Sequence, residues 1–193
     1  MSLALVLASE SKYRRALLDR LALPYTAMSH RLDERSFAPR ETLSETALAM
    51  SEAKANSIAE LVPESFIIAS DQIAEIDGEV LHKPGTSENA IAQLGKLEGQ
   101  QHRLLTAVAL RSPDGRTTSA LEEHRMHMRP LSTAEIRRYV EADSPLDCCG
   151  SYKIECLGIT LFSAIEGNDA TAIEGLPLIA LSRMLRQAGF LLP

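Results

Sequence analysis

The side chains best suited to chemistry fall in five places along this sequence. Ser9, Ser11 and Arg14 follow directly on a short apolar run, where a strand would hand over to a helix. Such a junction exposes backbone N–H groups and the positive end of a helix dipole, and both favour phosphate. Hydroxyl and guanidinium donors also match phosphate oxygens. An ordinary serine cap ahead of a solvated basic helix face would look the same. No GxxxxGK[ST] is present, which excludes a P-loop, and no GxGxxG occurs either.

Ser70-Asp71-Gln72 closes a second apolar run, Phe66 to Ala69. Open α/β sheets bind ligands at the carboxyl ends of their strands. A carboxylate there can hold a hard divalent cation or take a proton from an attacking water; a turn aspartate leaving the sheet is the plainer alternative. Lys54, on an expected helix, and Lys83-Pro84, after an expected hairpin, matter only if they converge on phosphates. Asp33-Glu34 lies in a polar loop with Arg31 and Arg35, and an acidic pair of this kind can hold Mg²⁺ through water. His124 and His127, three apart in a strand-like run, would point to opposite faces, so no metal site is expected there. His30, His82 and His102 have no matching partner in the sequence.

The elements that must position these groups are legible from pattern and punctuation. Leu3 to Ala8 reads as a buried strand, and a helix follows through Arg14, Leu17, Leu18 and Leu21. Thr42-Leu43-Ser44-Glu45 has capping-box spacing and opens a helix expected to carry Leu48, Ala49 and Ala53 on one side. The Phe66–Ala69 strand is expected to end at Ser70-Asp71-Gln72, and Asp77-Gly78 to turn a hairpin between Ile73–Ile76 and Glu79–Leu81. A helix over Ser87–Leu97, strands over Arg103–Arg111 and Thr117–Met128, a second capping box at Ser132, and a last helix from Pro177 to Gln187 complete the pattern. Strands interleaved with helices around a long hairpin predict an α/β protein, a mixed central sheet flanked by helices, as one domain of two lobes over residues 1–193.

Composition narrows the class. With 193 residues, 45% hydrophobic and 24% charged, the chain can fill a core. No apolar run approaches the roughly 20 residues of a membrane span. The N-terminal segment lacks a basic region before its apolar run, so no signal peptide is expected and the cytoplasm is the expected compartment. The formal charge of −6 and 4% aromatic content argue against nucleic acid as a partner. Cys148, Cys149 and Cys156 are expected as thiols, with packing the favoured role for at least two of them.

In order and spacing, these segments resemble the Maf family of nucleoside triphosphate pyrophosphatases. Leu7 to Leu18 meets L-A-S-x-S-x-x-R-x-x-L-L, Glu52-Ala53-Lys54-Ala55 meets E-x-K-A, and Ser70-Asp71-Gln72 meets the S-D-Q form of the acidic motif. Lys83-Pro84, Cys148-Cys149-Gly150-Ser151-Tyr152-Lys153-Ile154-Glu155 and Gly175-Leu176-Pro177-Leu178 match three further family elements. Lys12, Cys149 and Cys156 depart from the usual proline, alanine and glycine. The resemblance implies a fold like that of the inosine triphosphate pyrophosphatases, with a cleft between two lobes. It also implies a divalent cation (Mg²⁺ or Mn²⁺) and water attack on the α-phosphorus.

By resemblance, Asp71 is the proton acceptor and shares the cation with Glu34, while Ser9, Ser11, Arg14, Lys54 and Lys83 attend the phosphates. The positions of Tyr13, Gln72 and Glu155 set base specificity in the family. Their types here resemble the branch acting on 7-methyl-GTP rather than the one acting on dTTP and UTP, which is the competing enzymatic reading. A non-enzymatic role in septum formation or nucleic-acid binding is the reading from another class. The expected partner is a nucleoside triphosphate, without nucleic acid or membrane, and the assembly considered is a homodimer.

Overall fold

The structure, a computed structural model, describes residues 3–193. A seven-stranded mixed sheet runs in the order β2-β1-β3-β5-β6-β7, with β4 paired to β3. The strands are β1 (Ala4–Leu7), β2 (Thr26–Ala27), β3 (Ser65–Ile76), β4 (Glu79–Leu81), β5 (Gln101–Arg111), β6 (Thr117–Met128) and β7 (Phe162–Glu166). The helices are α1 (Lys12–Asp19), α2 (Leu43–Asn56), α3 (Ser87–Leu97), α4 (Thr133–Asp143), α5 (Ala170–Ile173) and α6 (Leu178–Gln187). The chain divides into two compact units: Met1–Asp71, Thr106–Glu122 and Asp169–Pro193 form the first, and Gln72–Leu105 and Glu123–Asn168 the second. Among the described residues no helix is long and apolar enough to cross a membrane.

In the first unit β1 lies parallel to both β2 and β3, with Leu5 opposite Phe66 and Leu7 opposite Ile68. Strands covered on both faces need apolar residues at every position, which the runs Leu5–Ala8 and Phe66–Ala69 supply. Alternation divides those residues between two clusters. Leu5, Leu7 and Ile68 pack with Leu17 and Leu18 of α1 and Leu181 and Leu185 of α6. Val6, Ala8, Ile67 and Ala69 pack with Ala55 of α2 and with Ile58 just beyond it.

Local signals hold well. The capping boxes at Thr42 and Ser132 both form, and α3 spans Ser87–Leu97 as expected. Asp77 and Gly78 have φ of 51° and 84°, the left-handed pair that a two-residue hairpin turn requires. Two expectations fail. β3 does not end at Ser70-Asp71-Gln72 but continues as one strand to Ile76, because β4 extends the ladder with Ala74 opposite Leu81. The buried face of α2 is not Leu48, Ala49 and Ala53, which are only half-buried, but Thr46, Ala47, Ser51, Lys54 and Ala55. Apolar residues surround this helix, so their spacing alone does not mark the inner face.

In the second unit α3 contacts α4, and the Tyr152 ring meets Phe162 edge-on at 4.9 Å. The buried His102 Nε2 lies 3.0 Å from the Tyr152 hydroxyl, while its Nδ1 is buried with no hydrogen-bond partner. Burial lowers the His102 pKa from 6.5 to about 4, reinforced by His127 and opposed by Glu75. The unfolded chain therefore takes up this proton first. The stabilisation is complete above about pH 6.5 and is lost as pH falls toward 4, with a slope of at most about 1.4 kcal/mol per pH unit. Urea unfolding should show this slope, and His102→Phe should flatten it. An unchanged slope in the variant would assign it to other groups.

Candidate active site

Alternation along β3 decides where its polar residues go. Ser70 follows Phe66 and Ile68, and its hydroxyl lies 2.7 Å from the Ala107 carbonyl and 2.9 Å from that of Gly175. Asp71 follows Ile67 and Ala69 and so faces α2. There Lys54, 3% exposed, lies one turn from Ser51 and beside Ala55, on the stripe that a 3.6-residue period turns inward. Its Nζ donates to Asp71 Oδ1 at 2.7 Å and lies 3.2 Å from Glu34 Oε1. Asp71 is thus a buried strand residue with a cationic partner rather than a turn aspartate.

Glu34 opens a short 3₁₀ turn whose cap is Asp33, with Asp33 Oδ1 accepting from Arg35 N at 3.1 Å. The expected acidic pair is therefore divided, one carboxylate capping the turn and the other meeting Lys54. His30 Nε2 lies 3.1 Å from the same Glu34 Oε1. Burial alone would raise the Glu34 pKa, but the charges of Lys54, His30 and Arg14 outweigh it and hold it below the ordinary value. Burial, then the Lys54 charge, lowers the His30 pKa, and Glu34 offsets this only in part. Sequence reasoning missed His30; the signal available was its spacing of four from Glu34.

The β1–α1 junction forms as expected. Ser11 caps α1, its hydroxyl accepting from Arg14 N at 3.4 Å, and the buried Ser9 hydroxyl accepts from Ser11 N at 3.1 Å. Both oxygens thus serve the backbone as acceptors, while their protons can still serve a phosphate. Arg14 Nε donates to the Gly175 carbonyl at 3.0 Å, tying the guanidinium to the Gly-Leu-Pro-Leu segment. The half-buried Tyr13 ring carries the Lys12 ammonium 4.9 Å from its centroid.

The remaining candidates belong to the second unit. Lys83 is exposed just after β4. Gln72 is half-buried in β3, its carbonyl 3.9 Å from Cys149 Sγ. Glu155 is exposed, and Lys153 directs its ammonium to the carbonyls of Asp143 and Ser144 at 2.6 and 3.1 Å. Cys148 and Cys149 are half-buried thiols and Cys156 is exposed. Gly150 and Ser151 both have positive φ, 76° and 62°, and a Cβ at Gly150 would come within 2.8 Å of the Tyr152 ring.

Among the described residues no group of three or more His, Cys, Asp or Glu could hold a metal alone. Two carboxylates gathered on one ammonium nevertheless suit Mg²⁺, which binds through one or two carboxylates and completes its shell with phosphate and water.

Removing the ammonium should be costly, because the Asp71 carboxylate would stay buried without its partner. Lys54→Met is expected to lose about 3 kcal/mol or more in urea unfolding, with much of the loss recovered in Lys54→Met/Asp71→Asn. A loss below about 1 kcal/mol would equate the pair with a surface ion pair.

The family model described as Maf-like protein matches residues 4–188. A 7-methyl-GTP pyrophosphatase of Xanthomonas campestris pv. campestris (strain 8004) is 49% identical over 189 residues, covering 98% of each chain. One of Pseudomonas aeruginosa is 45% identical over 190 residues, with the same coverage. Two solved structures share the fold at low identity: a HAM1 protein from Coxiella burnetii (TM-score 0.53, 16% identity, 96% of this chain and 99% of that one) and the Staphylococcus aureus Ham1 protein (TM-score 0.52, 15%, with the same coverage). By a family match running almost from end to end, and by relatives of nearly half-identical sequence, this chain belongs to the Maf family.

Proposed function

We propose that this protein hydrolyses a nucleoside triphosphate to the monophosphate and pyrophosphate, with 7-methyl-GTP its preferred substrate. The observation that carries this reading is the Asp71 carboxylate on a buried strand, 2.7 Å from an ammonium that also meets Glu34. Asp71 takes a proton from water as the water oxygen bonds to the α-phosphorus. The bond from that phosphorus to the bridging oxygen breaks, and pyrophosphate leaves. Arg14 and Lys83 neutralise phosphate oxygens, and the Ser9 and Ser11 hydroxyls orient them. Such chemistry needs mainly positioning and charge neutralisation. A divalent cation, Mg²⁺ or Mn²⁺, would be held by Glu34 and Asp71 and, when bound, would neutralise charge on the triphosphate.

The preference for a methylated base rests on Tyr13, Gln72 and Glu155. Methylation at N7 gives guanine a positive charge. An aromatic face attracts a cation by about 0.5–2 kcal/mol, and the Lys12 ammonium over Tyr13 is an instance within this protein. Glu155 adds charge attraction and can accept from the guanine N1–H and N2 amine, and Gln72 supplies a donor and an acceptor. The relatives named for 7-methyl-GTP support the same assignment.

Asp71→Asn should reduce turnover by about 10²-fold or more while the protein stays folded; near-normal activity would refute the proton-acceptor role. Arg14→Ala and Lys83→Ala should weaken hydrolysis of every triphosphate alike, and an effect confined to one base would move that residue to base recognition. Comparing kcat/KM for 7-methyl-GTP, GTP, dTTP and UTP tests specificity. The methylated substrate should lead and Glu155→Gln should narrow its lead, whereas a dTTP or UTP preference would overturn the base assignment and leave the pyrophosphatase reaction standing.

A further inference from the structure

Glu34 is half-exposed, so packing does not settle its side chain. Two donors do. Its Oε1 lies 3.2 Å from Lys54 Nζ and 3.1 Å from His30 Nε2, two ion-pair contacts on one oxygen. A carboxylate only accepts, so His30 donates through Nε2–H. A neutral ring then leaves Nδ1 bare, and that atom is buried without a partner. The backbone on either side of His30 is anchored as well. Met28 N donates to the Leu7 carbonyl at 3.0 Å, and Arg31 N donates to Ser57 Oγ at 2.9 Å. Ser57 in turn donates to the Lys54 carbonyl at 2.7 Å. His30 is therefore held against the helix that carries Lys54, with one ring nitrogen committed to Glu34 and the other enclosed.

We infer that His30 is a positioning residue: with Lys54 it occupies Glu34 Oε1 and so leaves Oε2 as the oxygen offered to the divalent cation. This rests on the reading of Glu34 as a cation donor. His30 does not itself ligate the ion, since neither ring nitrogen is available. Groups that orient a ligating side chain commonly change metal affinity by about 10–100-fold.

The test is Mn²⁺ binding to the full chain, followed by electron paramagnetic resonance of the free ion, with and without α,β-methylene-GTP. His30→Leu, which removes the donor but keeps bulk, should weaken Mn²⁺ binding by about 10-fold or more. His30→Gln, whose amide N–H can still donate to Oε1, should retain most of the affinity. In turnover the leucine variant should need more Mn²⁺ for half-maximal rate yet reach a kcat close to that of the unaltered enzyme at saturation. His30→Ala answers the same question should the leucine variant fail to fold. Equal Mn²⁺ affinity in the unaltered protein and the donor-less variant overturns the role of His30 alone. Failure of the unaltered protein to bind Mn²⁺ even with the nucleotide analogue overturns the cation reading of Glu34 and this inference with it.

Discussion

An ammonium cannot leave water without anions to receive it, and α2 takes Lys54 out of water. Its burial therefore dictates much of what surrounds it. β3 must present Asp71 on the face toward α2, and the loop after β2 must bring Glu34 back to the same nitrogen. Ser57, at the end of α2, ties that loop down by receiving Arg31 N. The arrangement places two carboxylates on one cation, leaving an excess of negative charge that suits it to a further cation. Stability and the proposed chemistry thus draw on the same atoms.

Much of this fold is readable because its signals are local. A capping box needs only four residues, and an Asp-Gly turn only two, so neither depends on distant partners. The failures are tertiary. Ser70-Asp71-Gln72 resembles the end of a strand because its residues favour turns, yet β4 supplies ladder partners farther along β3 that keep the strand extended. Lysine ordinarily marks a solvated helix face, and only the carboxylates brought by β3 and the Glu34 loop make a buried Lys54 tolerable. The family resemblance points to Lys54, Asp71 and Glu34, but their convergence on one nitrogen depends on contacts between distant parts of the chain. β2 and β7 were missed because two and five residues with few buried side chains carry little periodic signal.

Two of the three family departures are also accounted for locally. Cys149 stands where alanine is usual, and its half-buried thiol lies near the Gln72 carbonyl, where a small weak donor is accommodated. Cys156, in place of glycine, is exposed and has φ of −121°, a backbone setting that makes no demand for glycine. The strict glycine of this segment is Gly150, fixed by the Tyr152 ring.

The apolar character of β3 on both faces has a consequence for folding fidelity. Where a strand is amphipathic, a one-residue slip exposes its hydrophobic side and is rejected on that ground alone. Phe66-Ile67-Ile68-Ala69 offers little such protection, since large apolar side chains point both ways. Discrimination falls to the next two residues. Ser70 finds carbonyl acceptors on one side and Asp71 an ammonium on the other, and a one-residue slip would put Asp71 in the place of Ser70 and Gln72 in the place of Asp71. Ala107 and Gly175 would then face a carboxylate with their carbonyl oxygens, and Lys54 would lose a counter-ion. The polar pair that punctuates an otherwise ambiguous strand acts as its alignment key, so strand alignment and the proton transfer proposed for Asp71 depend on the same side chain.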